Sequence, residues 1–517
     1  MGPVALARLV GAAFVLAREG VFSLAPTADL PPIGRFGVAV ARLLERRHPR
    51  GSDAAERLTT ALNRLGPSYV KLGQFLATRP DVVGREAAAD LARLQDQVPA
   101  VPDAAARAAV AEALGRPVEV AFLSFGPALA AASIAQVHRA EVAGADGVAE
   151  VVAVKVLKPG VAGRFYRDLE SFYLAARMLE RFVPSARRLR PVAVVDTLAR
   201  SVALEMDLRL EAAALSEMAE NTRDDPGFRL PKVDWSHTAK TVLTMEWVDG
   251  IRLSEPERIA AAGHDRKALA ATLIQSFLRQ AMRDGFFHAD MHQGNLFVVP
   301  DGTLVAVDLG ITGRLARAER QFLAEILYGF IRRDYQRVAE VHFEAGYVPA
   351  GQDVDVFAQA LRAIGEPIRD QTARDISMAR LLTQLFEVTE LFAMRTQPRL
   401  ILLQKTMVVA EGVARSLDPE LDLWRTAEPV VAEWIARNLG PVGRLETAAG
   451  GLAAVGRILA DLPAIADRVR DYAVGTAAAE AAEAERRAEA RHRRSLRLAL
   501  WVGALALVAL AVERLIG

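Results

Sequence analysis

A polar loop set between short apolar runs constrains this chain more than any other feature. HADMHQGN (288–295) follows a helix-like stretch ending near Asp284 and leads into NLFVV, and a second apolar run, TLVAVDLG, ends on Asp308. Asp290 and Asn295 lie five residues apart, and Asp308 comes thirteen after Asn295. Phosphoryl transfer needs one carboxylate to orient a nucleophile and an oxygen pair to hold Mg²⁺ against phosphates. The spacing therefore assigns Asp290 as base or orienter, with Asn295 and Asp308 as Mg²⁺ ligands. Two other readings compete. His288, Asp290 and His292, at i, i+2 and i+4, could set up a zinc or iron site, although such a site wants a further distant ligand. The loop could also be polar and without chemistry.

A lysine upstream strengthens the first reading. Lys155 sits in VVAVKVLK, where an ammonium on an otherwise apolar strand is costly unless it meets an anion. An edge-strand lysine reaching solvent is the plainer alternative; the downstream Asp/Asn/Asp set favours a phosphate-contacting role. Its carboxylate partner should come from ALEMDLRLEAAALSEM (203–218), which offers Glu205, Asp207 and Glu211. Asp207 and Glu211 share a helix face at i, i+4, and Glu211 is the first choice. Where phosphate loops carry glycines, this chain has Pro127, Ala128, Leu129, Ala130, Ala131, Ala132, Ser133, Ile134 and Ala135. Alanine restricts backbone approach to ordinary φ/ψ regions. The expectation is a stiff loop offering the Ser133 hydroxyl and backbone N–H groups to a nucleotide. Lys71 and Gln74, in LGPSYVKLGQF, face one way on a predicted helix and would by themselves read as a surface helix.

Bulk composition excludes several classes. Lys and Arg total 64 against 63 Asp and Glu, so no global charge points to nucleic acid. With no cysteine, disulfides, thiolate metal sites and cysteine nucleophiles are out. A content of 52% hydrophobic and 25% charged residues describes a folded chain. MGPVALARLVGAAFVLAREG opens without a cationic region or a small-x-small cleavage site, which favours an amphipathic helix over a signal peptide. Position 6 is not Ser or Thr, which argues against myristoylation. At the other end, Leu498–Val512 carries no charge, and about 20 residues from Leu496 reach about 30 Å. Arg486, Arg487, Arg491, Arg493, Arg494 and Arg497 precede it, which predicts a single-pass anchor with the preceding domain in the cytoplasm. A buried or interfacial helix is the alternative for so short a run.

Along the chain, 1–115 reads as a helical extension, with breaks at Pro31–Pro32, Gly66–Pro67 and Arg79–Pro80 and a helix over 103–114. β-Branched alternation in AFLSFG, SIAQVHRAEVA and VVAVKVLK, with a turn at Gly126–Pro127, predicts an antiparallel sheet. Helices over 163–182 and 191–220 and a strand over 241–250 complete a small lobe, 116–255. A helical lobe follows at 256–440, with two short strands at the join. A helical spacer (441–495) leads to the anchor (496–517). The fold class is α+β, with the bilobal layout of a protein-kinase-like fold.

Together these motifs resemble the UbiB family of atypical kinase-like proteins, bacterial branch, related to the mitochondrial coenzyme-Q kinase-like proteins. The resemblance runs from about residue 60 to 435. It rests on LGPSYVKLGQFLATRPD, LQDQVPA, AAASIAQVHRA, VAVKVLKPGV, Glu205-Met206-Asp207, HADMHQGN and VDLGI. RDYQRVAEVHFEAGYVP and LLQKTMVVAEGVARSLDPELDLWRTAEP are similar to the ubiquinone branch in particular. Gln293 stands where the family usually has Pro. The resemblance implies that Lys71 and Gln74 belong to an extension folded over the active site, with Glu205 the partner of Lys71. It also implies ATP and Mg²⁺ as cofactors and ATPase activity in support of ubiquinone biosynthesis. Implied partners are membrane lipid, isoprenoid-quinone precursors and other ubiquinone-biosynthesis enzymes, at the bacterial inner membrane. The alternative is a nucleotide-sensing scaffold that recruits those enzymes. An ordinary protein kinase is disfavoured, because no A-P-E and no long polar segment follow DLG.

Overall fold

A computed structural model describes residues 3–23, 32–46, 54–77, 83, 85–92, 99–144, 146–183, 187, 189–369, 388, 391–394 and 398–439. Residues 1–434 form one compact unit and 435–517 a second. The spacer at 441–495 and the anchor at 496–517 lie outside the described residues. No helix among the described residues is long and apolar enough to cross a membrane.

Helices α1 (Pro3–Arg18), α2 (Pro32–Leu43), α3 (Ala54–Leu65), α4 (Pro67–Ala77) and α5 (Arg85–Ala92) build the N-terminal layer. Pro67 opens α4 directly after Gly66, whose φ of 101° is available to glycine at little cost. Helix α6 (Asp103–Leu114) ends on Gly115 in the left-handed conformation, as the sequence predicts.

Strands β1 (Ser124–Ala131), β2 (Ala135–Ala143), β3 (Ala149–Leu157) and β5 (Val242–Glu246) make an antiparallel sheet in the order β1-β2-β3-β5. A helical turn, α7 (Val118–Ala121), precedes β1 where the AFLSFG pattern suggested that extended chain begins. Val110, Val118, Phe122, Phe125, Val142, Val152, Val154, Val156 and Val242 are buried together between the sheet and the α6–α7 segment. β3 pairs on both edges, and from Val152 on all of its residues but Lys155 are buried, so its near-continuous apolar run follows. The turn expected at Gly126–Pro127 is not a turn. The chain stays extended through it with register shifts between Phe125 and Ala130, and a proline is tolerated there because β1 is an edge strand.

Helix α8 (Val161–Phe182) is followed by α9 (Pro191–Glu205) and α10 (Leu208–Asn221), where the sequence suggested one continuous helix over 191–220. The break has a local cause. Asp207 sits in extended conformation (φ −122°) and its carboxylate accepts from Arg209 N–H, capping α10.

The second lobe has α11 (Pro256–Ala261), α12 (Arg266–Leu278), α13 (Arg317–Arg332), α14 (Tyr335–Glu344), α15 (Val354–Arg369), α16 (Pro398–Leu417) and α17 (Leu423–Leu439). At the join, β4 (Phe228–Arg229), β9 (Leu304–Ala306), β8 (Leu296–Val298) and β6 (Ile251–Arg252) form a small sheet. β7 (Phe286–His288) pairs with β10 (Thr312–Arg314), a ribbon that three-residue strands do not announce in sequence. α12 runs into a π-helical turn, Arg279–Asp284, directly before β7.

Candidate active site

The HADMHQGN loop is the crossing between β7 and β8, and Asp308 follows β9, so strand pairing alone draws the three oxygen residues into one region. β8 and β9 are antiparallel neighbours, and Val307 N–H donates to Asn295 O at 2.9 Å. Asn295 is largely buried, and its Nδ2 donates to Asp290 O at 3.1 Å. That bond commits the amide end and leaves Oδ1 as the atom suited to a cation. Asp290 keeps a partly exposed carboxylate, with His292 Nε2 3.7 Å away. Its backbone N–H donates to His288 Nδ1 at 3.2 Å. Nδ1 is thus the acceptor, which places the proton of the neutral ring on Nε2. Burial pulls the His288 pKa down, keeping that ring neutral. The π-helical turn supports the same strand: Gln280, fully buried, accepts from His288 N–H at 3.1 Å.

Asp308 has φ 61°, a left-handed conformation that is costly for a residue with a Cβ. Its Oδ1 accepts from Lys155 Nζ at 2.9 Å and from Gly310 N–H at 3.4 Å. Leu309 is buried, where related loops place an aromatic.

Lys155 is the meeting point. Its ammonium donates to both Glu211 oxygens, at 2.8 and 3.0 Å, as well as to Asp308. The side chain is 14% exposed, Glu211 is 7% exposed and Asp308 is half exposed, so the pair opens toward the cleft on the Asp308 side. Burial alone would lower the lysine pKa, but Asp308 and Glu211 outweigh it and hold it above the ordinary value. Burial raises the Asp308 carboxyl, yet Lys155 and the Gly310 N–H overcome it and the net shift is downward. Glu211 goes the other way: burial, aided by repulsion from Asp308, pushes it up to about 7 against the pull of Lys155.

The break at Met206-Asp207 sorts the three candidate acids. Glu205 ends α9 and pairs with Lys71 Nζ at 2.6 Å, both about one-sixth exposed. Asp207 caps α10 and holds Arg209. Glu211, one turn into α10, takes Lys155. A continuous helix would have put Asp207 and Glu211 on one face; the kink instead separates their tasks. Gln74 lies one turn beyond Lys71 on α4 and is partly buried.

The alanine-rich stretch departs from the expected loop. Pro127, Ala128, Leu129, Ala130 and Ala131 belong to β1, and Ala135 opens β2, leaving only Ala132, Ser133 and Ile134 as the connection. Ala132 N–H donates to Ala135 O at 2.9 Å, and the Ser133 side chain is fully buried. Stiffness therefore comes from strand pairing. A residue that motif reading passed over adds to it. Lys158, 7% exposed, donates through Nζ to Ala132 O (2.6 Å) and Pro99 O (3.0 Å), and through its N–H to Ile134 O (2.8 Å). Val101 N–H donates to Gln136 Oε1 at 2.8 Å, and Gln136 Nε2 contacts His138 Nε2 at 2.9 Å. His138 Nδ1 contacts Gly126 O, also at 2.9 Å. The segment before α6 is thus stapled to the β1–β2 hairpin. The only hint in sequence was a second lysine three residues after Lys155.

Among the described residues, no three His, Cys, Asp or Glu side chains converge on a metal position, so His288, Asp290 and His292 do not form the alternative site. An amide oxygen and a carboxylate, both oxygen donors beside a lysine, fit Mg²⁺ completed by phosphate oxygens.

The sequence also matches known proteins. Residues 93–342 match the ABC1 atypical kinase-like domain, and residues 361–422 match the UbiB helical domain. A probable protein kinase UbiB of Marinobacter nauticus is 38% identical over 447 residues, covering 86% of this chain and 81% of that protein. One from Aeromonas salmonicida is 39% identical over 446 residues, covering 85% and 81%. The solved structure of Rv3197 with erythromycin from Mycobacterium tuberculosis is 25% identical, with a TM-score of 0.48, covering 73% of this chain and 95% of that one. Two matched domains, the first of which contains the lysine, acid and loop set, and relatives aligned over most of their length make this chain a member of the UbiB family of atypical kinase-like proteins.

Proposed function

We propose that the chain binds Mg-ATP between its two lobes and transfers or hydrolyses the γ-phosphoryl group in support of ubiquinone biosynthesis. One observation carries the reading: Lys155 Nζ sits between Glu211 at 2.8 Å and Asp308 at 2.9 Å, the ammonium poised where phosphates would enter. Mg²⁺ would be held by Asn295 Oδ1 and the Asp308 carboxylate and would supply neutralisation of phosphate charge. Lys155 then exchanges Asp308 for phosphate oxygens while Glu211 keeps it aimed. Asp290 orients the attacking hydroxyl or water, with its loop fixed by Asn295 Nδ2 and by Gln280. The hairpin tip would cover the phosphates with the Ser133 and Ile134 backbone N–H groups, since that of Ala132 is spent on Ala135 O. The role in quinone synthesis is supported by the UbiB relatives. Residues 496–517, carrying the uncharged run 498–512, would hold the cleft at the cytoplasmic face of the bacterial inner membrane, near precursors too apolar to diffuse through water.

Phosphate release by purified full-length chain, with Mg²⁺ and quinone-precursor phenols in detergent, tests the reading. Asp290→Asn should retain ATP binding and lose about 10²-fold or more in turnover. A variant that is silent in this assay but sustains quinone synthesis in a ubiquinone-deficient strain would leave the nucleotide-sensing scaffold as the function.

A further inference from the structure

Helix α1 is packed inside out. Its buried side is lined by small residues, Ala5, Ala12 and Ala17, each under 8% exposed. Its larger side chains Leu6, Val10 and Phe14, at i, i+4 and i+8, share the outward face and are 51%, 61% and 46% exposed. Every residue of this helix described as exposed is apolar, while Arg8 is partly buried and donates to Arg167 O. Helix α2 packs against α1 and leaves Val40 and Leu43 exposed, Leu43 at 85%, with Leu44 exposed just past its end. Arg46 N–H donates to Arg18 O at 3.0 Å, which joins the two apolar ends.

Arginines border this face on α2 and at the end of α1. Arg42 and Arg46 are exposed, and the Arg18 guanidinium lies 6.0 Å over the Phe14 ring. Neither α1 nor α2 contains an acidic residue. Among the described residues, the first acid after each helix is occupied: Glu19 is buried against Arg64, and Glu45 pairs with Arg57 at 2.9 Å. Aliphatic side chains without hydrogen-bonding groups, fringed by arginines, match a hydrocarbon boundary beneath anionic headgroups.

We propose that the α1–α2 face docks on an anionic bilayer surface, as an interfacial contact separate from the C-terminal run. It rests on neither nucleotide chemistry nor the anchor. Leu6, Val10, Phe14, Leu43 and Leu44 enter the headgroup–acyl boundary, and Arg42 and Arg46 meet lipid phosphates. Helix α1 packs on α3 and α8, and α4 packs on the same two helices, so the contact would place the Lys71 layer next to the bilayer.

The absence of cysteine makes the test direct. Val10→Cys and Phe14→Cys, each in the full chain and labelled with an environment-sensitive fluorophore, are mixed with phosphatidylcholine vesicles with or without phosphatidylglycerol. Val120→Cys on the β lobe serves as the control. Docking predicts about twofold or greater quenching at positions 10 and 14 by lipid-borne nitroxide, stronger with phosphatidylglycerol, and little at position 120. Labels at 10 and 14 left in water on sedimented, vesicle-bound protein would overturn the proposal. So would quenching at 120 equal to that at 10 and 14. A blue shift that grows with protein concentration without lipid would assign the face to a second copy instead.

Discussion

Replacing Glu211 by glutamine isolates what the Lys155–Glu211 pair does. Glutamine keeps the shape and a carbonyl acceptor, while Lys155 keeps Asp308 at 2.9 Å. Burying both members of an ion pair costs several kcal/mol in lost hydration, and a Glu211 pKa raised to about 7 means that the pair does not fully recover it. Glu211→Gln should therefore not lower unfolding free energy at pH 8, and the raised pKa predicts a gain there of up to about 3 kcal/mol. Glu211→Ala should cost about 2–4 kcal/mol, because it opens a cavity beside a buried ammonium. Function should respond in the opposite order of scale. A lysine no longer aimed at phosphate forfeits about 1.5–3 kcal/mol, the net worth of a charged hydrogen bond, or roughly 10- to 150-fold in kcat/KM. The pH dependence has a definite sign. A carboxyl whose folded pKa exceeds its unfolded value stabilises most below about pH 4.5, and that contribution is lost as pH rises toward about 7. Chemical denaturation of the unliganded wild type should show this decline, and Glu211→Gln should lack it. The reasoning fails if the glutamine variant loses several kcal/mol of stability, keeps wild-type turnover, or retains the slope.

Lys158→Met should free the Ala132–Ile134 connection from Pro99. Hydrogen exchange of those amides should rise, and ATP affinity should fall about tenfold, in line with losing hydrogen bonds from a charged donor; unchanged exchange and affinity would remove Lys158 from the cleft's support. The full chain should resist carbonate extraction and deletion of residues 496–517 should make it extractable; resistance that survives the deletion would show that another segment inserts.

The candidate residue set was legible before the fold because it is written as residue type and interval. Asp290, Asn295 and Asp308 on a loop and a strand end, and Lys155 inside an apolar run, are recognisable wherever they sit in space. Helix α6 and its Gly115 stop were likewise local, since capping and φ depend on immediate neighbours. Other decisions were out of reach. Glu205, Asp207 and Glu211 look interchangeable in sequence. Their assignment to Lys71, the α10 cap and Lys155 follows from a helix break whose value lies in contacts far along the chain. The alanine-rich stretch read as a loop because proline and glycine punctuate it; cross-strand pairing with β2 overrode that local preference.

Sequence alone determined which residues are the candidates to hold phosphate and cation. Tertiary structure decided which carboxylate each lysine meets, that Lys158 staples the hairpin, and that α1 turns its larger side chains outward. The physical reason is range. Intervals and caps act over a few residues, whereas burial and ion pairing are settled by whatever the folded chain brings alongside.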